Sequence, residues 1–494
     1  MFRGLPLALI LSLVAAGCIQ APEVQTAAVD PAGALGGRVV TFDASGLLPL
    51  HPDFVDVDVR ISPVGWNGPE PTLGVLSDGT IFITAGGADK LARSTDHGMT
   101  WELITTGDPL RAPKTSLDPW MWVDPITDRI YNAPLYVVCT WATWSDDKGA
   151  SWDFNPVMGC VEGIPAHDHQ KITTGPPAEG VSTNGYENVV YYSYNSFRRE
   201  GTWVQASFDG GRTFTFGQSV HPPSRCNSGV AGPVAVGPDG TAYSPKPTCE
   251  GIAIAVSKDS GATWTRSTVE DVGAVPALAH MTDAAVDLGN NAYATWNGED
   301  GFAYITRTTD RGDTWSKPIR VSPPGVNSTV HNVITAGESG RVAVAYLGTR
   351  ADTTKWEEKD AEAADDKAVW HLFLSITEDA LAESPVWTTV QVTPDDDPVQ
   401  IGPIWLSGGS NPSRNLLDFI DMVERDGRIY IGYADGCDAC TKASESRRRE
   451  ATVAIMETGP SLLGGMLAPL TGLVEGAQAQ PAQARAPALP LGLR

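Results

Sequence analysis

Carboxylates and imidazoles recur at one kind of place in this sequence, the first residue of a six-residue run that turns apolar toward its end. Glu70 opens EPTLGV, Asp118 opens DPWMWV, His169 opens HQKITT, His331 opens HNVITA and Asp418 opens DFIDMV, while Ala231 (AGPVAV) and Met281 (MTDAAV) open two further runs. His167, Asp168 and His280 stand beside them. The chain has only eight histidines, so the gathering of His167, His169, His280 and His331 at these starts is a concentration. Imidazoles and carboxylates converging on one point are the donors of a divalent-cation site, with His169, His331, Asp118, Glu70 and Asp418 as the candidate set, or the members of an acid/base pair. The other reading is a wet channel mouth, where strand starts are polar because the backbone there needs hydrogen-bonding partners.

The element that would bring seven distant runs together is visible as a repeat. STDHGMTW (94–101), SDDKGASW (145–152), SFDGGRTF (207–214), SKDSGATW (257–264) and TTDRGDTW (308–315) are five versions of S/T-x-D-x-G-x-T/S-W/F. Their central residues, Asp96, Asp147, Asp209, Asp259 and Asp310, recur every fifty residues or so, with one longer step. That period fits one four-stranded propeller blade with its loops. Alternating apolar residues precede each copy and an extended run follows it, so the copy is a hairpin turn. Its Asp can accept hydrogen bonds from its own turn, Gly supplies a positive φ, and the aromatic residue can enter the core between blades.

This pattern resembles the Asp-box, or BNR repeat, of sialidase-like β-propellers, over residues 55 to 458 or so. The resemblance implies an all-β fold of four-stranded blades, in which the boxes hold turns and perform no catalysis. HLFLSITEDALAESPVWTTVQVT (371–393) is a degenerate sixth copy with Trp387, and residues 418–436 with 449–459 form a seventh unit that lacks a fourth strand. VRISPVG (59–65) nearly duplicates IRVSPPG (319–325), which follows the fifth box in the outermost position. The N-terminal strand at 55–63 is therefore expected to complete the last blade and close a seven-bladed ring; the six-bladed sialidase type is the alternative. The same duplication places Arg60 on an outermost strand, away from the innermost position of the catalytic arginine that RISP otherwise resembles. A sialidase would also need an arginine triad, a Tyr–Glu pair and an acid/base Asp. None of the seven run starts is Arg, and Arg198, Arg199, Arg225 and Arg350 lie in loops on the mouth side without a motif.

The longest loops expected on that side are 349–370 and 393–415, with Trp356 and Trp405 able to stack on a sugar or to anchor the loops. Asp395, Asp396 and Asp397 lack the spacing of a calcium loop and read as a solvated acidic stretch.

The ends of the chain carry address rather than fold. Residues 1–17 read as a signal peptide: Arg3, an apolar run, then Ala16-Gly17 before Cys18. The junction resembles a prokaryotic lipobox, which implies lipid on Cys18, with ordinary secretion as the alternative. Residues 18–50 read as a flexible tether, 51–459 as the propeller and 460–494 as a low-complexity tail. The remaining six cysteines pair by proximity as Cys139–Cys160, Cys226–Cys249 and Cys437–Cys440. A net charge of −24 argues against nucleic acid as a partner. The expectation is a monomeric, membrane-anchored extracytoplasmic protein that binds a glycan or protein ligand at the axial funnel opposite the Asp-boxes. The alternatives are an exo-sialidase or other glycoside hydrolase or lyase that uses the ring, with or without a divalent cation, and a non-catalytic interaction propeller.

Overall fold

Apolar alternation within each repeat builds a four-stranded antiparallel sheet, and seven such sheets surround one axis. The computed structural model describes residues 39–44, 49–50, 57–87, 89–106, 119–136, 139–140, 142–155, 167–196, 200–223, 230–274, 282–351, 362–363, 368–406, 410–467 and 470. From axis to rim, blade 1 comprises Leu73–Val75, Ile81–Thr84, Lys90–Ser94 and Glu102–Thr105. Blade 2 comprises Met121–Val123, Ile130–Asn132, Ala142–Ser145 and Asp153–Asn155. Blade 3 comprises His167–Gly175, Val189–Ser196, Thr202–Ser207 and Gln218–His221. Blade 4 comprises Ala235–Val236, Ala242–Thr248, Gly251–Ser257 and Thr265–Val269. Blade 5 comprises Thr282–Val286, Ala292–Asn297, Ala303–Thr308 and Ile319–Arg320. Blade 6 comprises Ser328–Ala336, Val342–Thr349, Val369–Thr377 and Val386–Gln391. Blade 7 takes Asp421–Arg425, Arg428–Asp435 and Glu450–Pro460 from the C-terminal end and Asp58–Asn67 from the N-terminal end. The ring thus has seven blades, closed by the N-terminal strand. No helix among the described residues is long and apolar enough to cross a membrane.

Closure is reinforced by side chains. Arg60 of the closing strand pairs with Glu457 at 2.7 Å and donates to the carbonyl of His97 at 2.6 Å, in the turn of blade 1. Ser62 donates to the carbonyl of Gly98 and receives the indole N–H of Trp101 at 3.0 Å. Arg60 lies on the outermost strand of blade 7, as the duplication led one to expect, and there it is a buried fastener between the last and first blades.

Two boundaries move. Val39–Asp43, expected within the tether, adds to blade 6 as an outer strand beside Val386–Gln391. At the other end Gly459 and Pro460 pair with Leu467 and Met466, and Leu462 is buried in the main core cluster, so the packed chain runs past residue 459.

The five repeated turns share one hydrogen-bond scheme. In blade 4, Asp259 accepts from Ser257 Oγ at 2.8 Å, from the Thr263 N–H at 2.8 Å and from Thr263 Oγ1 at 2.5 Å, while Gly261 N–H donates to Ser257 Oγ at 2.8 Å. Asp96, Asp147, Asp209 and Asp310 repeat it. The degenerate copy keeps half: Asp379 accepts from Thr377 and from the Val386 N–H. Gly261 has φ +86°, and a Cβ there would lie 3.3 Å from the Tyr191 ring of blade 3, so this glycine meets both a left-handed backbone and a close approach to the preceding blade. The aromatic residues go in unequally: Trp101 and Trp387 are fully buried, whereas Trp152, Phe214, Trp264 and Trp315 are half-buried.

Candidate functional site

Each inner strand descends from the loop-bearing end of the axis to the end where the Asp turns lie. Along it the axis has three levels.

The upper level holds the residues that open the runs. Glu70, His169 and His331 all take left-handed backbone (φ 54°, 48° and 57°), and strand register shifts at His169 and His331. His is among the residues that tolerate this region, which accounts for its recurrence here. In blade 7 the left-handed residue is Leu417 (φ 60°), so Asp418 sits one position later than its counterparts. His169 of blade 3 and Asp418 of blade 7 meet across the axis, with Nε2 3.5 Å from Oδ2. Asp418 Oδ2 also receives Arg414 at 2.5 Å, and its N–H donates to Glu70 Oε1 at 3.1 Å. Asp168 lies 3.7 Å from His169 Nε2.

The other expected members part company with this group. His167 stacks on Tyr194 at 3.8 Å between centroids and shares a hydrogen bond with Tyr192, which makes it a core histidine of blade 3. His331 is buried, neither ring nitrogen has a hydrogen-bond partner among the described residues, and burial holds its pKa down at about 3, so it is neutral at physiological pH. Asp118 and His280 lie outside the described residues, as do Cys18, Cys160, Cys226, Trp356, Arg198, Arg199 and Arg225. Among the described residues no three His, Cys, Asp or Glu side chains gather closely enough to hold a metal ion. Of the anticipated five-member donor set, Asp118 lies outside the described residues, and Asp418 is paired with Arg414 at 2.5 Å. The C-x-x-C pair is a disulfide, Cys437–Cys440, and Cys249 is also disulfide-bonded. Only the backbone of Cys139 is described. Trp405 pairs with Glu362 in a two-stranded ribbon, and Arg350 donates to Gln391 at 2.8 Å.

The middle level is a plug. Trp120 and Phe419 approach to 5.8 Å between centroids, from blade 2 and from the entry to blade 7. Lys171 is buried against them, its ammonium 5.7 Å from the Trp120 ring and donating to the carbonyls of His169 (2.9 Å) and Ala231 (3.0 Å).

Below the plug, toward the Asp-turn end, lies a cavity of about 260 Å³ to which all seven blades contribute. Trp120, Trp122, Thr173, Thr174, Thr335 and Met422 line it with four charged residues, Asp283, Asp421, Glu424 and Arg425. Asp283 accepts the N–H of Ala284 (2.8 Å) and of Ile334 in the next blade (3.0 Å); Asp421 accepts those of Met422 and of Leu73 in the next blade, both at 2.9 Å. The carboxylates thus hold neighbouring blades together while facing the axis. Burial pushes Asp283 up to about 7, with the charge of Asp421 adding to the rise, and burial pushes Asp421 up to about 6. Sequence reasoning missed this pair. The available signal was a carboxylate inside an otherwise apolar inner strand, MTDAAV and DFIDMV.

No family model matches the chain, and no curated protein does. Among solved structures it is similar to the BP39L lectin from Burkholderia pseudomallei, at 10% identity and TM-score 0.47, covering 82% of this chain and 99% of that one. It is also similar to the intramolecular trans-sialidase from Ruminococcus gnavus, at 14% identity and TM-score 0.38, covering 80% of this chain and 97% of that one. A third is the Aleuria aurantia lectin, at 11% identity and TM-score 0.40, covering 66% of this chain and 97% of that one.

Proposed function

We propose that this chain is a surface-anchored extracytoplasmic propeller that binds a glycan-type ligand in its axial cavity. The observation that carries the reading is the cavity itself, where two tryptophans, three threonines and two inward carboxylates converge from five blades. Aromatic rings covering the apolar face of a sugar, with carboxylates and hydroxyls taking its hydroxyl groups, is the usual division of labour in a small polar-ligand pocket. About 260 Å³ suits one monosaccharide-sized unit rather than a long chain. The ligand position proposed is the Asp-turn end of the axis, because Glu70, His169, Arg414 and Asp418 at the opposite end are packed against one another.

A glycan array read with the full chain and with Thr335→Trp, which fills the cavity from blade 6, tests this. Binding by the parent and loss in the variant, with an unchanged melting transition, supports the cavity. Equal binding by both places the ligand elsewhere. The anchor is tested separately: Cys18→Ser should move the protein from the membrane fraction to the soluble one, and retention in the membrane rejects lipidation at that residue.

A further inference from the structure

The cavity carries more negative than positive chemistry, and among the described residues that line it Arg425 is the one cation. Each oxygen of Asp283 and Asp421 accepts one backbone N–H, and a carboxylate oxygen has a second acceptor direction to spare. No Lys or Arg among the described residues hydrogen-bonds to either carboxylate. Lys171, whose charge is felt by Asp283, spends hydrogen bonds on the carbonyls of His169 and Ala231 above the plug. Arg425, at the rim, donates to the carbonyl of Pro125 at 3.1 Å and lies 3.5 Å from Asp128. Glu424, also at the rim, accepts the N–H of Gly427. Two carboxylates thus face the cavity without a salt-bridged partner among the described residues, and the indoles of Trp120 and Trp122 line the same space. Acceptor oxygens beside aromatic faces are the chemistry that receives an ammonium group.

We propose that the axial cavity selects ligands bearing a protonated amine, which seats between Asp283 and Asp421, so that a small amino sugar or amino polyol is preferred over its neutral counterpart. This rests on the cavity reading above and adds the class of ligand. An acetylated amine loses both the charge and two donors, and is excluded for the same reason that a neutral sugar is weak. Binding is accompanied by proton release, since an ammonium ion favours the ionised form of carboxyl groups that burial otherwise keeps partly protonated.

The test is titration calorimetry on the full chain at pH 7 with glucosamine, glucose and N-acetylglucosamine, in two buffers of different ionisation enthalpy. The expected result is glucosamine tighter than either neutral sugar by roughly tenfold or more, with heat that depends on the buffer. Asp421→Asn and Asp283→Asn, each confirmed as folded by its melting transition, should reduce the preference to within roughly twofold while leaving glucose affinity in place. Equal affinities for the three sugars, or a preference that survives both substitutions, overturn the inference and leave the cavity reading standing. Absence of glucosamine binding overturns it as well. A glucosamine affinity that Thr335→Trp leaves unchanged overturns both.

Discussion

Asp283→Asn isolates the cost of placing a carboxylate on the axis. The folded chain holds this proton up to about pH 7, whereas the unfolded chain releases it near the ordinary carboxylate value of about 4. A raised folded pKa favours the folded state at low pH, in full below the unfolded value, and the advantage is lost as pH rises through the folded value. The gap amounts to about 4 kcal/mol once ionisation is complete, of which about 3 kcal/mol falls between pH 5 and pH 9. Asp421, Lys171, Glu424 and Arg425 surround the group in both proteins, so their contributions largely cancel in the difference. Urea unfolding followed by tryptophan fluorescence at pH 5, 7 and 9 gives the two stability profiles. The variant loses one of the acceptors that receive Ala284 and Ile334, and so starts lower at pH 5, but should gain on the parent by about 3 kcal/mol by pH 9. Parallel profiles would refute the reasoning, because they would mean that the carboxyl is hydrated and free to ionise.

Asp259→Ala removes the acceptor of three hydrogen bonds in one turn and should lower stability by about 1–2 kcal/mol, while folded molecules bind ligand as the parent does. A matched loss of affinity in calorimetry would count against a purely structural turn. Arg60→Ala removes the ion pair with half-buried Glu457 and the hydrogen bond to the His97 carbonyl at the ring closure, and should cost about 2 kcal/mol in urea unfolding. A cost below about 0.5 kcal/mol would show that the backbone ladder alone fastens the ring.

What could be read from the sequence was whatever is settled within a few residues. Every bond of an Asp turn closes between residues at most four apart, so the eight-residue signature carries its own geometry. Ring closure was legible for another reason: the closing strand repeats the outermost strand of blade 5, and like sequence in like position forms like structure. The axis was less accessible. Whether His169 meets Asp418 depends on the order of seven blades and on a left-handed kink at each strand start, and in blade 7 the kink falls on Leu417, where nothing in the residue type announces it. The pair Asp283 and Asp421 was hidden by its surroundings, since a carboxylate between apolar neighbours reads as a turn or an edge until the ring turns both strands to face the same space.

The closing strand also has a kinetic meaning. Arg60 and Glu457 are 397 residues apart, and bringing such distant segments together costs about 5 kcal/mol of chain entropy beyond a constant. Blades 1 to 6 each draw their four strands from one contiguous stretch, but blade 7 cannot form until the strand Glu450–Pro460 exists to receive Asp58–Asn67. Until the two segments meet, the strand Glu450–Pro460 presents an unpaired edge, and the matching segment of a second molecule satisfies it as well as its own. Refolding at high concentration should therefore yield a fraction of dimers in which two chains exchange their closing strands, Asp58–Asn67, and dilution during refolding should suppress them.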